Sequence, residues 1–375
     1  MKLFALWDQF SVWIMQAGLP TVALYHSLCG SAFLNVAASD AEGLEKMANV
    51  YLAPVQYLLA GSEAQPILSD AGEVISYQLK QRFNYEDPMM WVKTVGSYCA
   101  LPSSLLIGSA LKGASYFSKV TRQRHKQIAS HLLTAPLISK NDLYRSMGIA
   151  VTSFTQAEEV KSLGYQRRPG DELNLAAEKN ALKEIVNLFH ENEIMYWLDC
   201  GTCLGAYRYG GNIPWDWDVD IAILQPDFHN VLQVLQKLDP AKYMVQDWSS
   251  RDRTETYLKV YVKEVDALID IYHFGIDEKS QTIHSILSNE NSVFLPQSWK
   301  IRERRLTMPT DFSVVFPLKK IAFDGIEAFV PNNIQEYLEQ RYGDISPVKV
   351  YSEETGRYEK DPDHPYWKAL HVNDR

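Results

Sequence analysis

The stretch Met195–Leu224, MYWLDCGTCLGAYRYGGNIPWDWDVDIAIL, decides how the rest of the chain is read. Met195 to Leu198 is a short apolar run of the kind that forms a buried strand. A sharp break follows at Gly201-Thr202, then a short segment carrying Arg208, then a turn at Gly210-Gly211-Asn212. Asp216, Asp218 and Asp220 lead into a second apolar run, Ile221 to Leu224. Alternate side chains of a strand share a face, so the three carboxylates are predicted to point the same way. Carboxylates this close repel, and each raises its neighbour's pKa unless a cation sits among them. A divalent metal is the usual remedy, and hard oxygen donors suit Mg2+ or Mn2+. The competing reading is an acidic loop facing solvent, for which Trp215, Trp217, Val219 and Ile221 are poor residues.

These residues also resemble a known family. Asp199, Gly201-Thr202, Leu204-Gly205-Ala206, Arg208, Ile213-Pro214-Trp215-Asp216 and Asp218-Val219-Asp220 are similar to the signature of the LicD/fukutin family, part of the nucleotidyltransferase superfamily. The resemblance covers roughly residues 171–345 and leaves the first ~150 outside it. Cys200 and Cys203 depart from it, since family members commonly carry other small or apolar residues there. The fold implied is α+β: a nucleotidyltransferase-like core with a small mixed sheet flanked by helices; the residues before it read separately, from their own spacing, as a mainly helical N-terminal domain.

Composition sets outer bounds. At 375 residues the chain has length for two domains or more and a large core. A formal charge of −9 argues against a nucleic-acid backbone as the main partner, which calls for a basic face. Four cysteines (Cys29, Cys99, Cys200, Cys203) are too few for a secreted disulfide scaffold, so a reducing, cytoplasmic setting is expected. Cys200 and Cys203 form a C-x-x-C, which could suit a redox pair or half a zinc site. No second C-x-x-C or His pair lies at zinc spacing, and packing beside the site is the simpler reading.

Residues 1–150 are read as the helical domain, 151–170 as a junction, 171–350 as the catalytic domain and 351–375 as a polar tail. No Asp, Glu, Lys or Arg falls between Asp8 and Asp40, or between Lys93 and Lys112. Phe10, Trp13, Ile14 and Ala17 recur at helical spacing. Buried helices of a soluble domain are one reading; a membrane-surface element is the other. In the second, Lys119, Arg122, Arg124, His125 and Lys126 face anionic headgroups; in the first they are a solvated helix end.

Asp171 can cap a helix striped by Leu175, Leu182, Ile185, Val186 and Phe189. Pro226-Asp227 starts another, ended by Asp239-Pro240. Tyr257–Val262 and Ala267–Phe274 read as strands joined by a hairpin-sized loop. Asp270 sits in the second, where an unpaired carboxylate is costly. It is either a core Asp paired with a buried Arg or the third metal carboxylate, and the resemblance implies the latter. Residues 290–316 read as an irregular insertion whose Lys300, Arg302, Arg304 and Arg305 face solvent or contact substrate. A hairpin is predicted at Ala322–Ile326, then a helix opened by Asn332 or Asn333 and closed before Gly343.

The resemblance implies the chemistry: transfer of a phospho-alcohol, such as phosphocholine or ribitol phosphate, from a CDP-linked donor to a glycan or glycolipid hydroxyl, with CMP leaving. Asp218 and Asp220 would hold the metal, and Asp270 would complete the site or take the hydroxyl's proton. The Gly201-Thr202 turn would approach a phosphate, Arg208 would neutralise the leaving phosphate, and Trp215 or Trp217 would stack on the base. Asp216 completes the expected substrate contacts. Two other classes stay open: transfer of the nucleoside monophosphate itself, and a non-catalytic glycan- or partner-binding module.

Overall fold

The computed structural model describes residues 36–58, 62–81, 89–134, 137–151, 155–157, 172–216, 218–249, 255–265, 267–286 and 297–365. The predicted helix around Phe10–Ala17, Cys29, Asp171 and Trp217 lie outside them. The described residues fall into two units: those up to 137 with 232–249, and 138–231 with 255–286 and 297–365.

In the first unit β1 (Val36–Ala38) pairs in parallel with β2 (Ser62–Leu68), which pairs antiparallel with β3 (Val74–Gln81). A parallel pair needs a crossover, and α1 (Gly43–Leu58) supplies it. Helices α2 (Met90–Ser103) and α3 (Ser109–Ser115) run on through a π-helical turn, Ser104–Gly108, and α4 (Lys119–Thr134) follows. Ala38, Ala41, Ala64, Tyr77 and Ile128 pack as a core cluster of sheet and α4. Beside these helices stands a three-stranded sheet that was not foreseen. Its β2 reads SEAQPIL, with a proline that argues against a strand. Pro66 is tolerated because β1 pairs only with Ser62 to Ala64. The basic cluster needs a correction. Arg124 and His125 turn inward, 2.6 and 3.0 Å from the buried Glu45 carboxylate. Lys119, Arg122 and Lys126 are exposed.

The second unit begins with α5 (Asn141–Ser146) and α6 (Glu172–Glu191), whose Leu182, Ile185, Val186 and Phe189 are buried as their spacing predicts. β4 (Tyr196–Leu198), α7 (Cys200–Tyr209) and β5 (Asp218–Leu224) follow. Then come β6 (Tyr257–Val262), β7 (Ala267–Asp277), β8 (Thr282–Ser285) and β9 (Thr310–Asp311). β5 lies between antiparallel β4 and parallel β7; β7 pairs antiparallel with β6 and, further along, with β8, which pairs with β9. The sheet is therefore mixed. From residue 297 the segment expected to be irregular forms a helix, Gln297–Arg304, a 3-10 turn and β9. Its charged sequence, QSWKIRER, gave periodicity nothing to report.

The hairpin Lys319–Phe323 with Ile326–Val330 turns on Asp324 and Gly325, both at positive φ, as the Asp-Gly pair predicts. Helix Ile334–Tyr342 is capped by Asn333, whose Oδ1 accepts from the Glu336 N–H, and stops at Gly343. The polar tail holds a further hairpin, Lys349–Ser352 with Arg357–Lys360.

Candidate active site

Parallel pairing of β5 with β7 sets Asp220 directly beside Asp270 and Asp218 beside Leu268. Asp218 and Asp220 share a face by strand periodicity. The result is three carboxylates with one oxygen each lying within 4.8 Å of one another. Asp220 and Asp270 are buried and Asp218 is half-buried. Asp216 joins them through a side-chain hydrogen bond with Asp218. The first turn of α7 comes against this group: a Cβ added at Gly201 would sit 2.5 Å from Asp216 Oδ2 and 3.9 Å from Asp220 Oδ2. A side chain there would displace the Asp216 carboxylate.

Burial, and then the charges of Asp216 and Asp270, push the Asp218 carboxyl up to about 8 although Lys259 pulls it down. Burial and the charges of Asp218, Asp270 and Asp216 likewise carry Asp220 well above the usual carboxylate range. Lys259 sits opposite Asp270 in the β6–β7 pairing and donates from Nζ to Asp270 Oδ1 at 2.6 Å. Its ammonium offsets only part of the negative charge. An all-oxygen, hard, only partly compensated donor set at this spacing fits a small divalent cation such as Mg2+ or Mn2+.

Behind the cluster lies a buried support. Thr202 Oγ1 accepts from the Asp220 N–H at 2.8 Å, and the Asp199 N–H donates to the Asp220 carbonyl at 3.0 Å. Asp199 precedes α7, but its carboxylate accepts from the Tyr337 hydroxyl at 2.7 Å instead of capping the helix. Tyr337 in turn accepts from Trp197 Nε1 at 2.9 Å, and the Arg341 guanidinium lies over the Tyr337 ring, 3.5 Å from its centroid. Cys200, the first helical residue, holds φ at 44°, a left-handed backbone rare outside glycine, at the corner where strand becomes helix. Burial holds both the Cys200 and Cys203 thiols protonated, and both lie free among the site's packing.

The other residues singled out from the sequence are placed as follows. Thr202 fixes the strand through its hydroxyl rather than presenting it. Arg208 is buried and donates from Nε and Nη2 to the carbonyl of Ile345 and from Nη2 to that of Ser346, so it fastens α7 to the chain after Gly343. Trp215 packs on Tyr358 of the tail hairpin, ring centroids 4.7 Å apart, with Tyr209 edge-on at 6.5 Å. Arg304 and Arg305 line a pocket of about 440 Å³ together with Met308, Arg341 and Tyr342. Lys300 is buried. Lys259, Tyr337 and Arg341 were not singled out beforehand. A signal for Lys259 existed: closing the hairpin on Val262 and Ala267 sets Lys259 opposite Asp270.

Residues 193–333 match the model of the LicD/FKTN/FKRP nucleotidyltransferase domain, and this segment belongs to that family. Among curated proteins, the chain is 25% identical over 193 residues to a ribitol 5-phosphate transferase of Mus musculus, covering 50% of this chain and 36% of that protein. It is 26% identical over 183 residues to the corresponding Homo sapiens protein, covering 48% and 34%. An uncharacterized Rickettsia typhi protein is 29% identical over 153 residues, covering 40% of each chain. The chain thus spans between about a third and two fifths of the length of these relatives.

Proposed function

We propose that the protein transfers a phospho-alcohol from a CDP-linked donor to a hydroxyl of a glycan or glycolipid, releasing CMP. The observation that supports this most is the convergence of Asp218, Asp220 and Asp270 on one point, inside a segment of a family that includes ribitol 5-phosphate transferases. Asp218, Asp220 and Asp270 would hold Mg2+ or Mn2+, which when bound neutralises the donor's phosphate charge. The acceptor oxygen attacks the phosphorus that bears the alcohol, the bond from that phosphorus to CMP breaks, and CMP keeps the bridging oxygen. The hydroxyl's proton passes to a carboxylate of the cluster, with Asp270 the candidate. Gly201 keeps the first turn of α7 open so that its backbone can approach a phosphate. Thr202, Asp199 and Tyr337 hold β5 in position, and Arg208 acts as a positioning residue.

A thermal-shift series with CDP-ribitol, CDP-choline and CDP-glycerol tests the reading, since a ligand that binds only the folded state raises its stability. A Mg2+-dependent shift with one of these donors is expected. No shift with any of them, but one with a nucleoside triphosphate, would move the reading to nucleotidyl transfer.

A further inference from the structure

Helices that pack in water turn apolar residues inward and polar ones outward. The helical run through α2 and α3 does the reverse. Thr94, Ser97, Ser104, Lys112 and Ser115 are buried along it. Val95, Tyr98, Leu106 and Ile107 are exposed, Leu106 by 78%, and Phe117 just beyond is exposed by 88%. The partner helix α1 is mixed: Glu45, Asn49 and Gln56 are buried beside Ala48, Leu52 and Val55, while Leu44, Met47, Val50 and Tyr51 are exposed. The two helices meet through Leu52 and a set of small and polar groups. Ser104 Oγ donates to the Tyr51 carbonyl, and Lys112 Nζ reaches Glu45 at 3.5 Å and Asn49 at 3.4 Å. Gly108 lies so close to α1 that an added Cβ would meet the Leu52 side chain at 2.7 Å. Small contact residues, polar groups as glue and apolar side chains outward are the pattern of helices packed in lipid.

Two further observations specify the occupant. Trp91–Ser115 is long and apolar enough to cross a membrane by length and composition, yet only 22% of its apolar window is buried, unlike the core helix of a soluble protein. From Pro88 to Asn141 the chain has no Asp or Glu, but has Lys93, Lys112, Lys119, Arg122, Arg124, Lys126 and Lys140, in a protein of net charge −9. Lys119, Arg122 and Lys126 are exposed beside Phe117. Such a surface is complementary to an anionic bilayer. The connectivity decides how it lies. α1 enters from β1 and leaves into β2, which pair with each other, so both its ends are tied to one sheet. We propose that α1 and the α2–α3 run rest in the plane of an anionic lipid bilayer, outer face in the acyl layer, without crossing it.

The test is flotation of the purified full chain with vesicles of phosphatidylcholine, with and without phosphatidylglycerol. Binding is expected and should be stronger to the anionic vesicles. The exposed-site double variant Val95→Glu/Leu106→Glu should lose it at least tenfold while keeping its circular dichroism. Lys119→Gln and Lys126→Gln should each weaken binding to anionic vesicles about fivefold and leave neutral vesicles unaffected. Cys99, exposed on α2, reports the face directly: a water-soluble maleimide should modify it in solution and fail to once vesicles are bound. A chain that ignores both vesicle types would overturn the proposal. So would a dimer in solution dissociated by Leu106→Glu, which gives the face to a second copy, or a Cys99 already shielded without lipid.

Discussion

Asp218→Asn should make the metal-free protein more stable, by an amount that grows with pH. The ligand oxygens of the cluster lie within 4.8 Å of one another. Two unit charges at that distance and an effective dielectric of about 20 repel by ~3.5 kcal/mol. The folded Asp218 carboxyl titrates at about 8 against a reference value of 3.8. Below the reference value it is protonated in both states and costs nothing. Between the two values the folded state holds a proton that the unfolded state has released, so stability falls as pH rises, and the full cost is present above the folded value. Asparagine carries no charge and avoids that loss. Urea unfolding in a chelating buffer should therefore show little difference near pH 4 and a gain of roughly 3 kcal/mol near pH 9. Added Mg2+ should cancel nearly all of that gain, because wild type gains about 2.7 kcal/mol at a hundredfold excess over its dissociation constant and the variant binds the ion weakly. A variant no more stable than wild type near pH 9 in chelator, or an equal Mg2+ response from both, would refute the argument.

Lys259→Met removes the partner 2.6 Å from Asp270. It should destabilise the metal-free protein by about 3 kcal/mol, with much of that recovered on adding Mg2+, as read by unfolding with and without the ion. Tyr337→Phe strips the hydroxyl shared by Asp199 and Trp197, leaving two buried groups unsatisfied. A loss of ~2 kcal/mol in chemical denaturation is expected, with turnover lowered and donor KM little changed. Arg208→Lys should retain more stability than Arg208→Ala, and both should speed proteolysis after Gly343, since the guanidinium fork holds the Ile345 and Ser346 carbonyls.

The carboxylate cluster was legible because it rests on short-range rules. Strand periodicity put Asp218 and Asp220 on one face, and apolar neighbours marked the strand of Asp270. The Asp-Gly hairpin and the Asn333 cap were legible for the same reason. What escaped depends on contacts far apart in sequence. Arg208 carries the same charge whether it meets a phosphate or the carbonyls of residues 345 and 346; only the fold separates these. Tyr337 reaches Asp199 across 138 positions, and nothing near either residue announces it. In the first unit, Glu63 and Gln65 hid β2, while the charge-free run from Lys93 to Lys112 read first as buried core helix and only second as membrane surface. In the structure Ser97 and Ser104 of that run are buried while Leu106 and Ile107 are exposed, which no pattern in the sequence announces.

The most direct test of the account is identification of the products formed from a CDP-alcohol donor and a glycan acceptor, with and without Mg2+, for wild type and Asp220→Asn. The account predicts stoichiometric CMP and phospho-alcohol-bearing glycan from wild type with Mg2+, and turnover lower by orders of magnitude in chelator or with Asp220→Asn. Unchanged CMP release by Asp220→Asn, or product formation indifferent to Mg2+, would contradict it.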